Sequence, residues 1–334
     1  MNKSTPSSKS NKYTTQGSLL NSLPIDAIDR KIVEHLQKNG RRSYVSIASE
    51  IGLTEKTVRA RARILFDKKI VQVVALTSPA ALGYQVSTLA AISIKAPSFG
   101  TQVFDALARI DTIDYVALTY GRFAIFAEII ERDLKALQET IETKIGIIDG
   151  VNGIELFPYF SVHYQQAQIM NSDLSNADGV IDLKMSKTDQ RIVTQLTLDG
   201  RAAYSVVAKR LGISESQVRT RVQHLINNRQ VKIMAIVNPL KLLDSTMSWV
   251  AINVSSGIQI NDVADALSSM QNISYVAICA GRFNIFVEVI CNSKPELLDI
   301  IESQIRSVSG VEKTEAFIYI NLHYKRLPPL NADD

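Results

Sequence analysis

Apolar residues in "DAIDRKIVEHLQKNG" fall at Ile28, Ile32, Val33 and Leu36, the spacing of one helical face, and Gly40 follows as a C-terminal stop. A shorter helix, "YVSIASEI", ends at Gly52, and a third opens behind Thr54 as "TEKTVRARARILFDKK". Thr54 suits an N-cap, because its hydroxyl can accept a hydrogen bond from a free amide of the first turn. Within that third helix Val58, Ala62 and Leu65 share a face and predict its buried side. Three short helices with a Gly-containing turn before the last match a helix-turn-helix.

Beyond Pro79 the apolar period shortens. "STLAAISIK" reads as a strand and "FGTQVFDALARI" as a helix with Val103 and Leu107 inward. "IDYVALTY" and "RFAIFAEII" read as two strands joined by a tight turn at Gly121. "DLKALQETIETKIGII" is a second helix ending near Gly150, and "GIELFPYFSVHY" is a last strand. The order β-α-β-β-α-β is the ferredoxin-like unit. Its four-stranded sheet has helices on one face only, so the bare face needs a partner.

The whole pattern then recurs. Laying Asp29 on Asp189 aligns the chain with itself, at an offset of 160 and without a gap, as far as Tyr164 on Tyr324. Roughly a third of the aligned positions are identical, the mark of a tandem duplication. Gly40/Gly200, Gly52/Gly212, Pro79/Pro239, Gly121/Gly281 and Gly150/Gly310 fix equivalent turns. In the second copy "DQRIVTQL", "YSVVAKRLG" and "SESQVRTRVQHLINNR" repeat the three helices, with Ser214 and Gln217 in a capping-box pattern and Val218, Val222 and Leu225 inward. The predicted fold is therefore α+β, in two tandem repeats, each a helix-turn-helix followed by a ferredoxin-like βαββαβ domain. The expected layout is a disordered polar tail at 1–22, helix-turn-helix domains at 23–80 and 183–240, βαββαβ domains at 81–164 and 241–326, a linker at 165–182 and a tail at 327–334.

Charge changes the picture more than bulk composition does. The net charge is +4, but residues 23–80 hold eleven Lys and Arg against six Asp and Glu, and residues 183–240 hold ten against three. Two basic segments on an acidic remainder suit a polyanion. The exposed side of the first reading helix carries Lys56, Thr57, Arg59, Ala60 and Arg63, with Arg61 beside it. Its counterpart carries Ser216, Gln217, Arg219, Thr220 and Gln223, beside Arg221. Small polar residues near a helix N-terminus, with arginines in the following turns, suit insertion into the major groove of double-stranded DNA. The alternative is a pair of charged surface helices that touch nothing. No apolar run reaches the ~20 residues of a membrane span, and the polar N-terminus lacks a secretory signal, so a cytoplasmic protein with reduced thiols at Cys279 and Cys291 is expected.

These stretches together resemble the Lrp/AsnC, or feast/famine, family of transcriptional regulators. The likeness rests on "RRSYVSIASEIGLTEKTVRARARIL", on "IDYVALTYGRF" and "ISYVAICAGRF", and on "IIDGVNGIELF" and "SVSGVEKTEAF". It implies that the βαββαβ domains sense a small-molecule effector, an amino acid in most of the family, and pair through their sheets. It places the effector site at the turns of Tyr120, Gly121, Arg122 and Phe123 and of Ala280, Gly281, Arg282, Phe283 and Asn284. In the family an Asp commonly follows the aromatic residue of that turn; here Ala124 and Asn284 stand there, so the acid is absent from both copies. Asn284 keeps hydrogen-bonding capacity through its side chain and Ala124 does not. Arg122 and Arg282 could meet a carboxylate ligand, or could be turn residues or partners in an ion pair across an interface. With both sheets on one polypeptide, the expectation is a pseudo-dimer within each chain, and the family's rings of dimers imply association of whole chains.

An enzyme is the competing class, because sirohaem decarboxylases share this architecture. The four histidines are His35, His163, His224 and His323, and their spacing suggests no metal site. No Ser/His/Asp set or phosphate-cradling glycine loop is evident either. No catalytic residue, metal or cofactor is therefore assigned, and the sequence favours a regulator.

Overall fold

Asp26 opens the first helix by accepting hydrogen bonds from the amides of Ile28 and Asp29. In this computed structural model, residues 26–68, 70–77, 79–163, 185–228, 230–237 and 246–324 are described. The expected tails at 1–22 and 327–334, the linker at 165–182 and the turn at Pro239 lie outside them. In the first repeat α1 (Ala27–Lys38), α2 (Tyr44–Ile51) and α3 (Glu55–Asp67) form the helix-turn-helix, followed by strand β1 (Val71–Leu76). Then come β2 (Val86–Ile94), α4 (Gly100–Leu107), β3 (Ile113–Thr119), β4 (Ile125–Glu131), α5 (Leu134–Glu139) and β5 (Val151–His163). The second repeat gives α6 (Lys187–Leu198), α7 (Tyr204–Leu211), α8 (Glu215–Asn227), β6 (Lys232–Val237) and β7 (Thr246–Val254). It ends with α9 (Ile260–Ser268), β8 (Ile273–Cys279), β9 (Ile285–Cys291), α10 (Lys294–Asp299) and β10 (Val311–Tyr324). The predicted βαββαβ order holds in both copies. After α5 and α10 the helix widens into π-helical turns at Thr140–Ile145 and Ile300–Ile305. Among the described residues no helix is long and apolar enough to cross a membrane.

Strand alternation decides how the sheets are used. On β2, Ala90 and Ile92 face the helices and pack with Val103, Leu107 and Ile145. Leu89 and Ala91 point the other way, into a second cluster with Phe126, Phe157, Trp249, Phe286 and Phe317. That second cluster draws on both repeats, so each bare sheet face covers the other. Phe126 meets Phe317 at 4.8 Å between ring centroids, and Phe157 meets Phe286 at 4.9 Å, both edge-on. The last strands then leave their own sheets: β10 pairs with β3 (His323 opposite Val116) and β5 with β8 (His163 opposite Val276). A bulge between Tyr319 and Asn321, and another between Tyr159 and Ser161, bends each strand over the seam. The strands therefore close into one eight-stranded barrel, in the order β10-β3-β4-β2-β5-β8-β9-β7, with the helices outside.

Two carboxylates are enclosed with the aromatics. Glu288 accepts hydrogen bonds from the Tyr115 and Tyr319 hydroxyls at 2.9 and 3.0 Å and from Ser274 at 2.5 Å. Glu128 accepts one from the Tyr275 hydroxyl at 3.1 Å. Burial raises both carboxyls above their ordinary value, Glu128 well above, where the Asp114 charge adds to the effect.

The two helix-turn-helix units are also joined, through an element the periodicity did not reveal. β1 pairs antiparallel with β6, Val71 opposite Val237 through Leu76 opposite Lys232. One hydrophobic core runs through both units, with Ile32, Val58 and Val73 of the first and Ile192, Val218 and Ile233 of the second. The glycines expected to stop α1 and its copy have a different task. Helix α1 ends at Lys38, and Asn39 caps it in an extended conformation. Gly40 instead lies against the opposite strand, donating from its amide to the Ile233 carbonyl at 2.8 Å, and Gly200 donates likewise to Val73 at 2.8 Å. A Cβ on Gly40 would stand 2.8 Å from the Met234 Cα, so the close approach excludes any side chain there.

Candidate nucleic-acid interface

Each reading helix is fixed from its N-terminus. Thr54 accepts from the Thr57 amide at 3.2 Å, and Ser214 from the Gln217 amide at 3.1 Å. The Gln217 side chain completes a capping box by accepting from the Ser214 amide at 2.9 Å. Val58, Ala62 and Leu65 are buried, as are Val218, Val222 and Leu225. The opposite faces are consequently solvent-facing: Lys56, Arg59, Ala60 and Arg63 on α3, and Ser216, Gln217, Arg219, Thr220 and Gln223 on α8. Thr57 is half-buried, its hydroxyl 2.9 Å from that of Thr54.

The arginines divide into two groups. Arg61 reaches back to the start of α1, pairing with Asp26 at 2.6 Å and Asp29 at 3.0 Å, and Arg221 pairs with Asp189 at 3.0 Å and with the Ser186 hydroxyl at 3.3 Å. Those two tie the helices of each unit together. Arg59 and Arg219 remain on the open face, held by exposed i,i+4 pairs to Glu55 at 2.5 Å and Glu215 at 2.7 Å. Such exposed pairs stabilise by a few tenths of a kcal/mol, roughly 0.3–0.5, and give way readily to a phosphate. Arg63 stands 3.5 Å from Asp67, and Gln223 donates to Asn227 at 2.8 Å.

Behind the open faces lies a reciprocal clasp that the sequence pattern did not single out. Arg41 donates to the Gly200 and Ala202 carbonyls at 2.7 and 3.0 Å, and Arg201 donates to those of Gly40 and Arg42 at 2.6 and 3.2 Å. Each guanidinium also lies over a tyrosine of the other repeat, Arg41 over Tyr204 at 4.1 Å and Arg201 over Tyr44 at 4.5 Å. Burial lowers the Arg41 guanidinium from its ordinary value. The same tyrosines lie under the reading helices, Tyr44 beneath Arg59 at 5.2 Å and Tyr204 beneath Arg219 at 5.4 Å. The signal in the sequence was the identity of Arg41 with Arg201 and of Tyr44 with Tyr204 across the repeats.

The β3–β4 and β8–β9 turns sit at the barrel seams. Gly121 and Gly281 take φ of 135° and 129°, which their turns require. Phe123 and Phe283 are buried in the barrel core rather than open at the turn. Arg122 pairs with Glu315, and Arg282 with Glu155 at 3.1 Å, so each arginine bridges to the last strand of the other repeat. Asn284 accepts from the Val254 amide at 2.9 Å. Tyr120, Gly121, Arg122, Gly281 and Arg282 keep open surface, and Ala280 is half-buried with its amide on the Pro158 carbonyl at 3.0 Å. Elsewhere, Nδ1 of His35 stands 2.9 Å from Arg42, and both ring nitrogens of His224 face Asn228. Among the described residues no group of His, Cys, Asp and Glu could hold a metal ion.

Comparison with known proteins matches the helix-turn-helix of both repeats and the barrel half of the second. The AsnC-type helix-turn-helix domain matches residues 25–65 and again 185–226, and a C-terminal dimeric alpha+beta barrel domain matches 249–326. The HTH-type transcriptional regulator LrpA of Pyrococcus horikoshii is 32% identical over 131 residues, 39% of this chain and 92% of that protein. The chain belongs to the Lrp/AsnC family. Regulatory protein AsnC of Escherichia coli is 30% identical over 135 residues, again 39% of this chain and 87% of the relative. Each of these Lrp/AsnC relatives thus corresponds to one repeat. Likeness across both repeats comes from the sirohaem decarboxylase NirDL in complex with an iron-uroporphyrin III analogue, with a TM-score of 0.63 and 16% identity over 90% of this chain and 94% of that one. That likeness is one of fold.

Proposed function

We propose that this Lrp/AsnC chain is a sequence-specific DNA-binding regulator that carries both reading heads of a dimer in one polypeptide. One observation carries the reading: β1–β6 pairing and the Arg41/Arg201 clasp lock the two helix-turn-helix units into a single body with both reading faces open. On that reading Lys56, Thr57, Arg59, Ala60 and Arg63 contact one half-site, and Ser216, Gln217, Arg219, Thr220 and Gln223 the other. Arg61 and Arg221 support the helices and touch phosphate at most. The effector is a small metabolite such as an amino acid, received at the seam turns, where its carboxylate would compete with Glu315 or Glu155 for Arg122 or Arg282. Exposed Tyr120, Phe160 and Ile320 near the seams support association of whole chains. Gel-shift titration against duplex DNA, with and without an amino-acid mixture, tests the reading. Salt-sensitive binding is expected, and its absence at low salt would end the proposal.

The fold shared with NirDL keeps an enzymatic reading in view. Regulation is preferred because the regulator relatives are 30% identical or more, against 16% for the decarboxylase. A haem-like absorbance retained on purification would reverse that preference.

A further inference from the structure

A cleft of about 860 Å³ opens where the first reading domain, the second and the barrel meet. It is of the size that small-molecule sites occupy, roughly 300–1,000 Å³. Tyr44, Arg59 and Phe66 line it from the first repeat, Leu198 and Arg201 from the second, and His323 from the end of β10. It is separate from the seam turns. Its chemistry is two-sided. Arg201 donates guanidinium hydrogen bonds to main-chain carbonyls, which are neutral, and among the described residues no carboxylate forms an ion pair with it. Arg59 adds a second guanidinium whose carboxylate partner, Glu55, is exposed. Asp199 is the acidic member, and its carboxylate accepts from the Arg201 amide at 2.9 Å. Phe66 and Leu198 line the same cleft, and Leu198 is 66% exposed.

The offset of 160 allows the same place to be read on the other repeat. There Tyr204, Arg219 and Arg41 recur, but Phe66 becomes Ile226 and Ile70 becomes Gln230. The duplication has changed both sides: the second place is more cationic, with Lys38 for Leu198, Asn39 for Asp199 and Lys232 for Gln72, and it lacks the apolar wall on which a flat body would lie. We propose that the cleft at Arg59, Arg201 and Leu198 is a binding site for an organic anion with a flat apolar body, present once per chain. The acid group would meet the guanidiniums, and the body would lie on Phe66 and Leu198. Because Arg59 belongs both to the cleft and to the reading helix, occupancy would change DNA affinity. That consequence rests on the regulator reading; the binding itself does not.

The test uses the full chain without DNA. 1-Anilinonaphthalene-8-sulfonate has the required shape and charge, and N-phenyl-1-naphthylamine keeps the shape without the charge. Fluorescence titration should return one sulfonate site per chain, with the neutral probe at least tenfold weaker. Leu198→Glu places a negative charge on an exposed rim position and should weaken the sulfonate tenfold or more. Lys38→Glu, the same change on the other repeat, should leave it within twofold. Equal binding of the two probes, several equivalent sites, an unmoved Leu198→Glu variant with an unchanged thermal melt, or equal losses in both variants would each overturn the proposal. DNA binding measured separately keeps a failure here distinct from a failure of the regulator reading.

Discussion

Arg59 and Arg219 each sit between a glutamate one helical turn back and a tyrosine of the inter-repeat clasp. Both anchors are on the exposed side of the helix, so truncation removes charge without opening the core. Replacing both with Ala should leave the thermal melt within about a degree or two while weakening DNA binding, with the salt slope falling by roughly one unit for each phosphate no longer neutralised. Unchanged affinity across salt concentrations would remove them from the interface. The buried carboxylates make a different residue-scale prediction. A carboxyl raised on folding binds its proton more tightly in the folded state, so stability is full below the ordinary value near 4.5 and declines as pH rises from there through the raised value. Glu128→Gln should flatten that decline, measured as melting temperature across pH 5 to 9; an identical pH profile in the variant would mean the folded carboxyl is not raised. The reading-helix faces were legible at this scale, because helical spacing alone separates Val58, Ala62 and Leu65 from Lys56 and Arg59. The partners of Arg61 and Arg122 were not, since Asp26 and Glu315 are 35 and 193 positions away and only folding brings them near.

Among elements, the amphipathic helices and the hairpin strands announced themselves through period, caps and turn glycines. β1 did not. "VQVVAL" has no clean alternation, because Val73, Val74 and Ala75 are buried in succession. Gly40 illustrates the same gap: a glycine after a helix reads as a stop, yet its lack of a side chain serves an approach to a strand of the other repeat. Gly40→Ala should therefore cost about 1–3 kcal/mol, the usual penalty of overpacking, and should loosen the reading heads relative to one another. Chemical denaturation reads the first effect and DNA affinity the second. A fully stable variant with native affinity would show that the β1–β6 pairing yields without consequence.

For the whole molecule, duplication was visible in sequence, and so was the need to cover two bare sheet faces. Barrel closure was not. It depends on β5 and β10 being 13 and 14 residues long with a bulge midway, which lets each strand serve two sheets. The result is a pseudo-dimer whose two reading helices differ: Lys56, Thr57, Ala60 and Arg63 stand against Ser216, Gln217, Thr220 and Gln223. Lys or Arg favours guanine or phosphate, whereas Gln can pair with adenine, so the two helices should prefer different bases. Exchanging Lys56-Thr57 for Ser-Gln should make the preferred site more palindromic. The most direct measurement is selection of bound duplexes from a random pool by the native chain. Two unlike half-sites are expected, spaced by about one helical turn, roughly 10–10.5 base pairs, or a multiple of it. Recovery of perfect palindromes would contradict that expectation, because the two heads of one chain would then not be reading one operator together.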